Sequence, residues 1–271
     1  MTTAASSLGI AVGQFAPTAD SDANLAQVAA FAATAAERGA RVLLAPEYSS
    51  YFVNPMDSSL AEHAQSLDGS FTRRLAELAA HHALTIVAGL VEQADGGRVR
   101  NTAVAVDGSG VVAAYRKQHL YDAFGQTESD WIEPGALEAP QTFVAGGLTF
   151  GLMTCYDLRF PEVARTLVDA GADVLLVPAE WVRGPLKEHH WRTLATARAI
   201  ENTVYVAAAD HTPPIGVGSS LVVDPEGIQI AGLGSATDLA VGWASRGAID
   251  TVRRANPALA LRRYRVSPLS G

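Results

Sequence analysis

The 271-residue chain contains a single cysteine, and three charged residues elsewhere are of the types needed to activate a thiol. Cys155 lies in the segment GLMTCYDLRFPE, between an apolar run that ends at Met153 and a helix predicted to begin at Pro161. A strand that ends at a thiol holds it rigidly, and the following loop can offer backbone N–H groups to an oxyanion. This position favours a nucleophile; the alternative is a buried cysteine that acts only as a small apolar side chain.

Activation of the thiol needs a base or a nearby cation, because the thiolate is the nucleophile and an ordinary cysteine is mostly protonated at neutral pH. Glu47 follows Pro46 at the end of a short apolar run, and Lys117 follows the apolar strand that ends at Arg116. Glu128 comes shortly after Lys117 in an irregular segment. Each of the three could equally be a solvated residue at a strand end or in a loop.

Histidine offers a different base. Among the seven histidines, His119 lies close to Lys117 in the sequence, and the pair His189–His190 lies at the start of a predicted helix. A Cys-His-Asp arrangement would use one of them to take the thiol proton. The pattern of residues favours neither candidate, so this alternative stays open.

Composition limits the function classes. Hydrophobic residues make up 48% of the chain, which allows a large core, and the net charge of −8 argues against nucleic acid or anionic membranes as partners. The apolar runs fall short of the ~20 residues that span a bilayer. One cysteine cannot form an internal disulfide, and residues 1–15 do not have the pattern of a signal peptide, so we expect a reducing, cytoplasmic setting. The chain has neither zinc-ligand spacing nor a glycine-rich phosphate motif, so we expect no metal and no cofactor.

The hydrophobic pattern predicts alternating strands and helices without a linker, which indicates an α/β fold. The longest irregular segment runs from 117 to about 141. The predicted strands are 8–15, 42–45, 85–91, 101–106, 111–116, 148–154, 174–177, 204–208, 220–223 and 240–243. The predicted helices run from a cap at 20–22 to 38, over 70–82, 161–170 and 187–202, and from 249 onward.

One segment of the chain is repeated. GARVLLAPE at 39–47 parallels GADVLLVPA at 171–179, with six of nine positions identical, and both follow an amphipathic helix. The simplest explanation is a common helix-to-strand junction. The similar spacing of the elements favours two similar α/β halves whose equivalent strand ends face one crevice.

Four stretches together resemble the nitrilase, or carbon–nitrogen hydrolase, superfamily. They are LLAPE at 43–47, YRKQHL at 115–120 with QTES at 126–129, CYDLRFPE at 155–162, and HW at 190–191 with ARAIEN at 197–202 and YV at 205–206. The resemblance implies a catalytic triad of Glu47, Lys117 and Cys155, with Glu128 as a fourth member. It also implies that the backbone N–H of Tyr156 stabilises the oxyanion.

The same resemblance implies the architecture: a four-layer α-β-β-α sandwich with internal pseudo-two-fold symmetry, formed by one domain over residues 1–271. Members of the superfamily commonly form homodimers or larger homo-oligomers. We therefore expect a homo-oligomer, with the tail from about residue 257 at its interface.

The residues after the cysteine indicate the branch. Nitrile-cleaving members carry Cys-Trp-Glu, whereas CYDLRFP is similar to the amidase branches, so the resemblance implies hydrolysis of a small carboxamide through a thioester. N-carbamoyl-amine hydrolysis and nitrile hydrolysis are alternatives on the same scaffold. Arg159 is expected to anchor the cysteine loop through carboxylate contacts.

The sequence departs from these branches at Glu180-Trp181, where a small or aromatic residue is common. We expect Glu180, Trp181 and Tyr48 to line the substrate pocket, where the Glu180 carboxylate would disfavour an acidic group on the substrate. The alternative for Glu180 is a structural ion pair with Arg183 or Arg198.

Two other function classes are alternatives. A thiol redox protein would use Cys155, but the chain offers no second cysteine to resolve a sulfenic acid. A non-enzymatic interaction protein would be expected to have lost one of the residues of the triad, yet all of the residue types are present.

Overall fold

The structure, a computed structural model, describes residues 7–269. Helices and strands alternate through most of this range. The strands are β1 (Leu8–Gln14), β2 (Ala40–Leu44), β3 (Thr85–Gln93), β4 (Val99–Asp107), β5 (Gly110–Arg116), β6 (Thr142–Ala145), β7 (Leu148–Leu152), β8 (Val174–Pro178), β9 (Tyr205–Ala209), β10 (Leu221–Val223), β11 (Gln229–Gly232) and β12 (Asp238–Ala244). The helices are α1 (Ser21–Glu37), α2 (Ser59–His63), α3 (Ser70–His82), α4 (Pro161–Asp169), α5 (Lys187–Asn202) and α6 (Arg246–Ala255).

The strands form two six-stranded mixed sheets. The first has the order β12-β1-β2-β3-β4-β5, and the second has the order β11-β10-β9-β8-β7-β6. In the first sheet β1, β2 and β3 are parallel and the outer strands are antiparallel. In the second sheet β7, β8 and β9 are parallel and the outer strands are again antiparallel.

The two sheets have equivalent topology. Strands β1 to β5 correspond to β7 to β11, and β12 lies beside β1 as β6 lies beside β7. Helices α1 and α3 follow β1 and β2, as α4 and α5 follow β7 and β8. The repeated segment therefore forms equivalent central strands, and the predicted pseudo-symmetry is confirmed.

Three apolar layers separate four layers of secondary structure. The strands alternate, because successive side chains of a strand point to opposite faces: Val42 and Leu44 face the second sheet, and Leu43 faces helices α1 and α3. Phe150 and Leu176 meet them in the core between the two sheets. Helices α4 and α5 cover the outer face of the second sheet. The predicted four-layer α-β-β-α sandwich is confirmed.

Local sequence signals fix several element ends. Asp20 caps α1 by accepting the N–H of Ala23 at 2.9 Å, and Gly39 follows the helix with a φ of 78°. Helix α4 begins at Pro161, whose missing N–H is not needed there. Helices α3 and α5 have the bounds that the sequence predicts.

Five short elements were not predicted from the sequence. They are α2, β6, β11 and two 3₁₀ helices at Glu128–Asp130 and Cys155–Arg159. Strands β6 and β11 are edge strands of four residues with little burial, so they lack a clear hydrophobic period. Helix α6 begins at Arg246 rather than Ile249, because the Ser245 side chain caps it by accepting the N–H of Ala248.

None of the helices in residues 7–269 combines the length and the apolar character needed to cross a bilayer.

Candidate active site

Loops after four strands converge on one cavity. Glu47 follows β2, Lys117 follows β5, Cys155 follows β7 and Glu180 follows β8. The cavity has a volume of about 280 Å³, and Lys117, Glu128, Cys155 and Glu180 line it. Central parallel strands end at the same edge of a sheet, so the topology brings together side chains that are far apart in the sequence.

Lys117 lies between two carboxylates. Its Nζ donates to Glu47 Oε1 at 3.0 Å and to Glu128 Oε1 and Oε2 at 3.0 and 2.8 Å. All three side chains are at most 5% exposed. The burial of these three charged groups is tolerated because they pair with one another.

The backbone of Glu180 lies between the thiol and Glu47 and bonds to both. The backbone N–H of Glu180 donates to Glu47 Oε2 at 2.5 Å, and its carbonyl oxygen accepts the Cys155 thiol at 3.4 Å. The thiol and the Glu47 oxygen that does not bond to Lys117 therefore contact opposite ends of one residue. The charge of Glu47 raises the pKa of the thiol, so the two side chains interact electrostatically.

The pKa values of the two carboxylates that flank Lys117 are shifted in opposite directions. Burial raises the pKa of Glu47, although the charge of Lys117 opposes the shift. Burial acts in the same direction on Glu128 and is the largest single cause, but there the charge and hydrogen bonds of Lys117, together with hydrogen bonds from Tyr48 and Tyr121, outweigh it and the pKa is lowered. Glu128 is thus the permanent anion that pairs with Lys117, and Glu47 has the higher proton affinity that a base requires.

The cation and the thiol have shifted pKa values as well. Burial would lower the pKa of Lys117, but Glu128 and Glu47 outweigh it and raise the pKa well above its usual value. Burial, supported by the charge of Glu47, raises the pKa of the Cys155 thiol, and Lys117 only partly offsets this. The resting thiol is therefore neutral, and it must lose its proton as it attacks.

Cys155 begins a tight turn. Its φ is 45°, a left-handed conformation that costs a non-glycine residue of order 1 kcal/mol and persists only when neighbours enforce it. Asp157 supplies that support by accepting the Thr154 N–H at 2.9 Å and the Tyr115 hydroxyl at 2.8 Å. The first bond of the turn runs from Asp157 N–H to Thr154 O, which leaves the Tyr156 N–H without a partner in the turn.

Asn101 is a member of this cluster that sequence reasoning missed. Its side-chain N–H groups donate to Glu47 Oε1 at 2.6 Å and to Glu128 Oε1 at 3.1 Å. The residue lies on β4, which is next to β3 in the sheet. The signal that could have found it is an asparagine in a strand that is predicted to be buried.

Tyr48 lies behind the cavity rather than on its wall. The side chain is 1% exposed, and its hydroxyl donates to Glu128 Oε1 at 2.6 Å. The structure therefore places Tyr48 among the groups that hold Glu128. Trp181 is also buried, but it lines a small recess beside Cys155 and packs against Trp191 with 5.4 Å between ring centroids.

Arg159 does not anchor the cysteine loop through carboxylates, so that prediction was wrong. Its guanidinium lies over the Trp181 ring, 4.9 Å from the centroid, and it forms no salt bridge within residues 7–269. Arg198 anchors the loop instead, with Nε and Nη2 donating to the carbonyl oxygen of Leu158 at 3.1 and 2.8 Å. Sequence reasoning could not tell which arginine would face the loop.

Glu180 has no ion-pair partner in the described part of the chain, so the structural ion pair with Arg183 or Arg198 was also wrong. Arg198 pairs with Glu201 at 2.9 Å. The Glu180 side chain lines the main cavity and an adjoining recess. Burial, together with the charge of Glu47, raises its pKa well above the usual value.

The recess beside Cys155 contains two cations. Arg159 and Lys187 both line it, along with Tyr121, Tyr156 and Glu180. Lys187 is 4% exposed, and its Nζ donates to the Tyr121 hydroxyl at 2.7 Å. Across residues 7–269, neither cation forms a salt bridge. The recess has room for one oxygen-sized group, about 10 Å³. It therefore fits one oxygen of an anion whose remainder lies in the main cavity.

The histidine alternatives lie elsewhere. His119 Nδ1 donates to Asp157 Oδ1 at 2.8 Å, and the ring stacks on Phe160. His190 approaches Arg159 over 3.3 Å. No histidine of the described residues lines the cavity or the recess, so a Cys-His-Asp arrangement is wrong for this chain.

One histidine supports the site from behind and predicts an acid-sensitive stability. His211 is fully buried, its Nε2 donates to the Glu47 carbonyl oxygen at 2.8 Å, and burial lowers its pKa to about 4 from 6.5. Between those values the unfolded chain binds a proton that the folded chain excludes, so stability falls as the pH falls. At pH 5 this amounts to roughly 2 kcal/mol.

Urea unfolding at pH 7.5 and pH 5.0 measures this loss. The variant His211→Gln keeps a side-chain N–H for Glu47 and cannot titrate, so its stability should fall by about 2 kcal/mol less than that of the wild type. Equal losses in both proteins would show that His211 does not carry the effect.

In residues 7–269 no group of three or more His, Cys, Asp or Glu side chains is arranged to hold an ion.

Known proteins are similar to this chain over most of its length. The family model described as carbon-nitrogen hydrolase matches residues 9–254. The deaminated glutathione amidase of Escherichia coli O157:H7 is 38% identical over 256 residues, which cover 94% of this chain and 97% of that protein.

Solved structures are similar over nearly the whole chain. Nit3 of Saccharomyces cerevisiae, a member of branch 10 of the nitrilase superfamily, has a TM-score of 0.83 at 25% identity, over 96% of this chain and 100% of that chain. The amidase from Nesterenkonia sp. AN1 has a TM-score of 0.78 at 28% identity, over 94% of this chain and 100% of that chain. That structure shows acrylamide added to the active-site cysteine of the amidase.

Proposed function

The chain belongs to the carbon–nitrogen hydrolase family as an amidase-type enzyme, and from this premise we propose that Glu47, Lys117 and Cys155 form its catalytic triad. The substrate is a small linear carboxamide, which is cleaved to a carboxylate and ammonia. The observation that carries the proposal is the contact of the Cys155 thiol and the Glu47 carboxylate with the two ends of the Glu180 peptide.

In the first step Glu47 takes the thiol proton while the sulfur of Cys155 bonds to the amide carbon. The π electrons of the carbonyl move to its oxygen, which becomes an oxyanion. The ammonium of Lys117 and the N–H of Tyr156 stabilise that charge, and the loss of one such donor typically costs about 100-fold or more in rate. Glu128 holds Lys117 in place through two hydrogen bonds.

In the second step the C–N bond breaks, and the nitrogen leaves as ammonia with the proton from Glu47. The acyl group remains on Cys155 as a thioester. Water then attacks the thioester carbon and gives a proton to Glu47, which passes it to the departing sulfur. Because Glu47 has a raised pKa, it can accept and return a proton in each half of the reaction.

We further propose that the acyl group carries a carboxylate. Lys187 and Arg159 are cations without carboxylate partners in the described chain, and they line a recess that also contains Cys155. A substrate carboxylate there would supply the missing negative charge. The E. coli relative named deaminated glutathione amidase is consistent with an anionic amide substrate. Glu180 alone would disfavour an acidic group on the substrate, but Arg159 and Lys187 line the same recess and favour one.

Ammonia release from matched amides tests the proposal. The wild type should hydrolyse glutaramate, the monoamide of a five-carbon dicarboxylate, with a kcat/KM at least about tenfold above that of valeramide, which lacks the carboxylate. Acid quenching during turnover should show a thioester adduct on Cys155 by mass spectrometry. Cys155→Ala should show neither ammonia nor adduct.

Lys187→Met separates the class of reaction from the class of substrate. This variant keeps an unbranched side chain but removes the charge, so KM for glutaramate should rise about tenfold while that for valeramide changes little. Faster turnover of nitriles than of all amides would overturn the amidase assignment. Amide turnover without a preference for anionic substrates would overturn only the proposal that the acyl group carries a carboxylate.

We propose that the chain forms a homodimer in the cytoplasm. The exposed tail supports a subunit contact, because Leu261 is 70% exposed and Tyr264 is 93% exposed. A lone cysteine that must stay reduced to react supports the reducing compartment. Light scattering on the full chain distinguishes a dimer from the 28.3 kDa monomer.

A further inference from the structure

Asn101 bonds to both carboxylates of the buried cluster and to the backbone of the cation between them. Its side-chain N–H groups donate to Glu47 Oε1 at 2.6 Å and to Glu128 Oε1 at 3.1 Å. Its carbonyl oxygen accepts the backbone N–H of Lys117 at 2.9 Å. The residue is 1% exposed, so water does not compete for these bonds. One residue of β4 is therefore bonded to all three charged members of the cluster.

The two carboxylates differ in how many of their lone pairs are occupied. A carboxylate offers about four, two on each oxygen. Those of Glu128 are all occupied, because Oε1 accepts three hydrogen bonds and Oε2 accepts two. The donors are Lys117, Asn101 and the Tyr48 hydroxyl on Oε1, and Lys117 and the backbone N–H of Tyr121 on Oε2. A proton can add to Glu128 only by displacing one of these donors.

Glu47 has a free lone pair, and it is on Oε2. Its Oε1 accepts from Lys117 at 3.0 Å and from Asn101 at 2.6 Å, which occupies both lone pairs of that oxygen. Within residues 7–269, Oε2 accepts one hydrogen bond, from the backbone N–H of Glu180. The carbonyl oxygen of Glu180 accepts the Cys155 thiol. The free position is therefore on the oxygen that bonds to the same residue as the thiol.

The amide of Asn101 faces the carboxylates although this leaves its own oxygen unpaired. Oδ1 is buried and has no hydrogen-bond partner in the described part of the chain. A buried acceptor without a partner destabilises a fold, so an asparagine that served stability alone would have both ends of its amide bonded. The contribution of Asn101 is therefore in its two donors and the carboxylates that they reach.

We propose that Asn101 is a positioning residue for proton transfer: it occupies Oε1 of Glu47, so that the proton of the Cys155 thiol goes to Oε2. This inference deepens the proposed function and rests on it. As the S–H bond breaks, its electron pair forms the S–C bond to the amide carbon, and the proton forms an O–H bond with Oε2. That O–H bond breaks when the proton passes to the leaving nitrogen. Without Asn101, Oε1 also has a free lone pair, and the proton divides between two oxygens.

Titratable and charged groups face Glu47 from each neighbouring loop. They are Tyr48 beside it, Lys117 after β5, Glu128 in the loop that follows, Cys155 after β7, Glu180 after β8, and Asp210 and His211 after β9. A substitution at Asn101 leaves all of these residues in the chain. A difference in pH dependence between such a variant and the wild type therefore reports the lost donors.

Two variants of different size test the proposal. Asn101→Leu removes the donors but keeps the bulk of the side chain, and Asn101→Ala removes both. In each, kcat for glutaramate should fall about tenfold with little change in KM, because the residues that line the described cavity do not include Asn101. The stability lost on substitution should differ between the two variants, because it depends on packing.

The pH profile separates positioning from packing. Loss of a donor to the ionised form of Glu47 raises its pKa, so the acid limb of kcat should move up by about one pH unit in both variants. The acid limb of Cys155 alkylation by iodoacetamide, an uncharged reagent, should move by the same amount. Thr102→Val is the matched control, because Thr102 is the next residue on β4, is buried and donates to a carboxylate outside the site, Glu92, at 2.7 Å. Its acid limb should not move.

Three results would overturn the inference. An acid limb that stays in place or moves to lower pH in both Asn101 variants would show that any fall in kcat comes from packing. An equal shift in Thr102→Val would show that the effect is not specific to the donors on Glu47. If the wild type released no ammonia from any amide while iodoacetamide still alkylated Cys155, the proposed function would fail, and the alkylation profiles would still show whether Asn101 acts on Glu47.

Discussion

Glu47→Gln is expected to lower kcat for amide hydrolysis about a thousand-fold without unfolding the chain. The amide side chain has almost the shape of the carboxylate but cannot take the thiol proton, and burial keeps that proton on Cys155 at neutral pH. Lys117 keeps Glu128 as its partner in the variant, at 2.8 Å, so the cluster retains its main ion pair. Ammonia release under saturating substrate measures the effect.

The pH profile adds a second readout to this prediction. Burial raises the pKa of Glu47, so the acid limb of kcat/KM in the wild type should lie above the usual glutamate value of about 4.3. The residual activity of Glu47→Gln should lack that limb. A kcat within a few-fold of the wild type would remove Glu47 from the mechanism.

Glu92→Gln is the matched control. Glu92 is also buried, at 5% exposure, but its carboxylate bonds to Arg116 and Thr102 and does not line the cavity. This variant should lose stability and keep its kcat. Alkylation of Cys155 by iodoacetamide in every variant reports whether the site is still formed.

Gly89→Ala is expected to lower kcat about 100-fold although residue 89 touches no substrate. A Cβ at this position on β3 would lie 2.2 Å from Tyr48 N and 2.7 Å from Glu47 Cα, and backbone atoms cannot turn away from it. The Gly89 N–H also donates to the Pro46 carbonyl oxygen at 3.1 Å. The added methyl group must displace the backbone of Glu47, and a misplacement of about 1 Å can cost 100-fold.

The same variant should be less stable by about 1 to 3 kcal/mol, as expected for overpacking. Gly234→Ala is the control: a Cβ there meets no atom within 4 Å and the backbone is not left-handed, so activity and stability should be unchanged. Urea unfolding and ammonia release measure both effects. Full activity in Gly89→Ala would mean that the β2–β3 contact can relax without moving Glu47.

The architecture could be predicted from the sequence because its signals are local and repeated. The hydrophobic period gave α3 and α5 with their observed bounds, and the repeat at 39–47 and 171–179 indicated two equivalent halves. The convergence of Glu47, Lys117 and Cys155 required the resemblance, since strand ends alone do not specify which loops meet.

The supporting residues could not be predicted, because their roles arise from the packing of distant segments. Asn101 appears as one polar residue in a strand, and Gly89 as one glycine in another, until the structure brings Glu47 against both. The partners of Arg159 and Arg198 depend on which face of the turn each side chain meets. Such choices are not encoded in hydrophobic period or in residue type.

The two halves of the chain share one topology but provide different parts of the site. The first half provides Glu47, Lys117 and Glu128, and the second half has Ala179 where the repeat places Glu47. The second half provides Cys155 as the third residue after β7, whereas the third residue after the equivalent β1 is Pro17. Two identical halves would carry the nucleophile and the charged residues twice or not at all. The differences between the halves, rather than their symmetry, make one reactive centre at the seam.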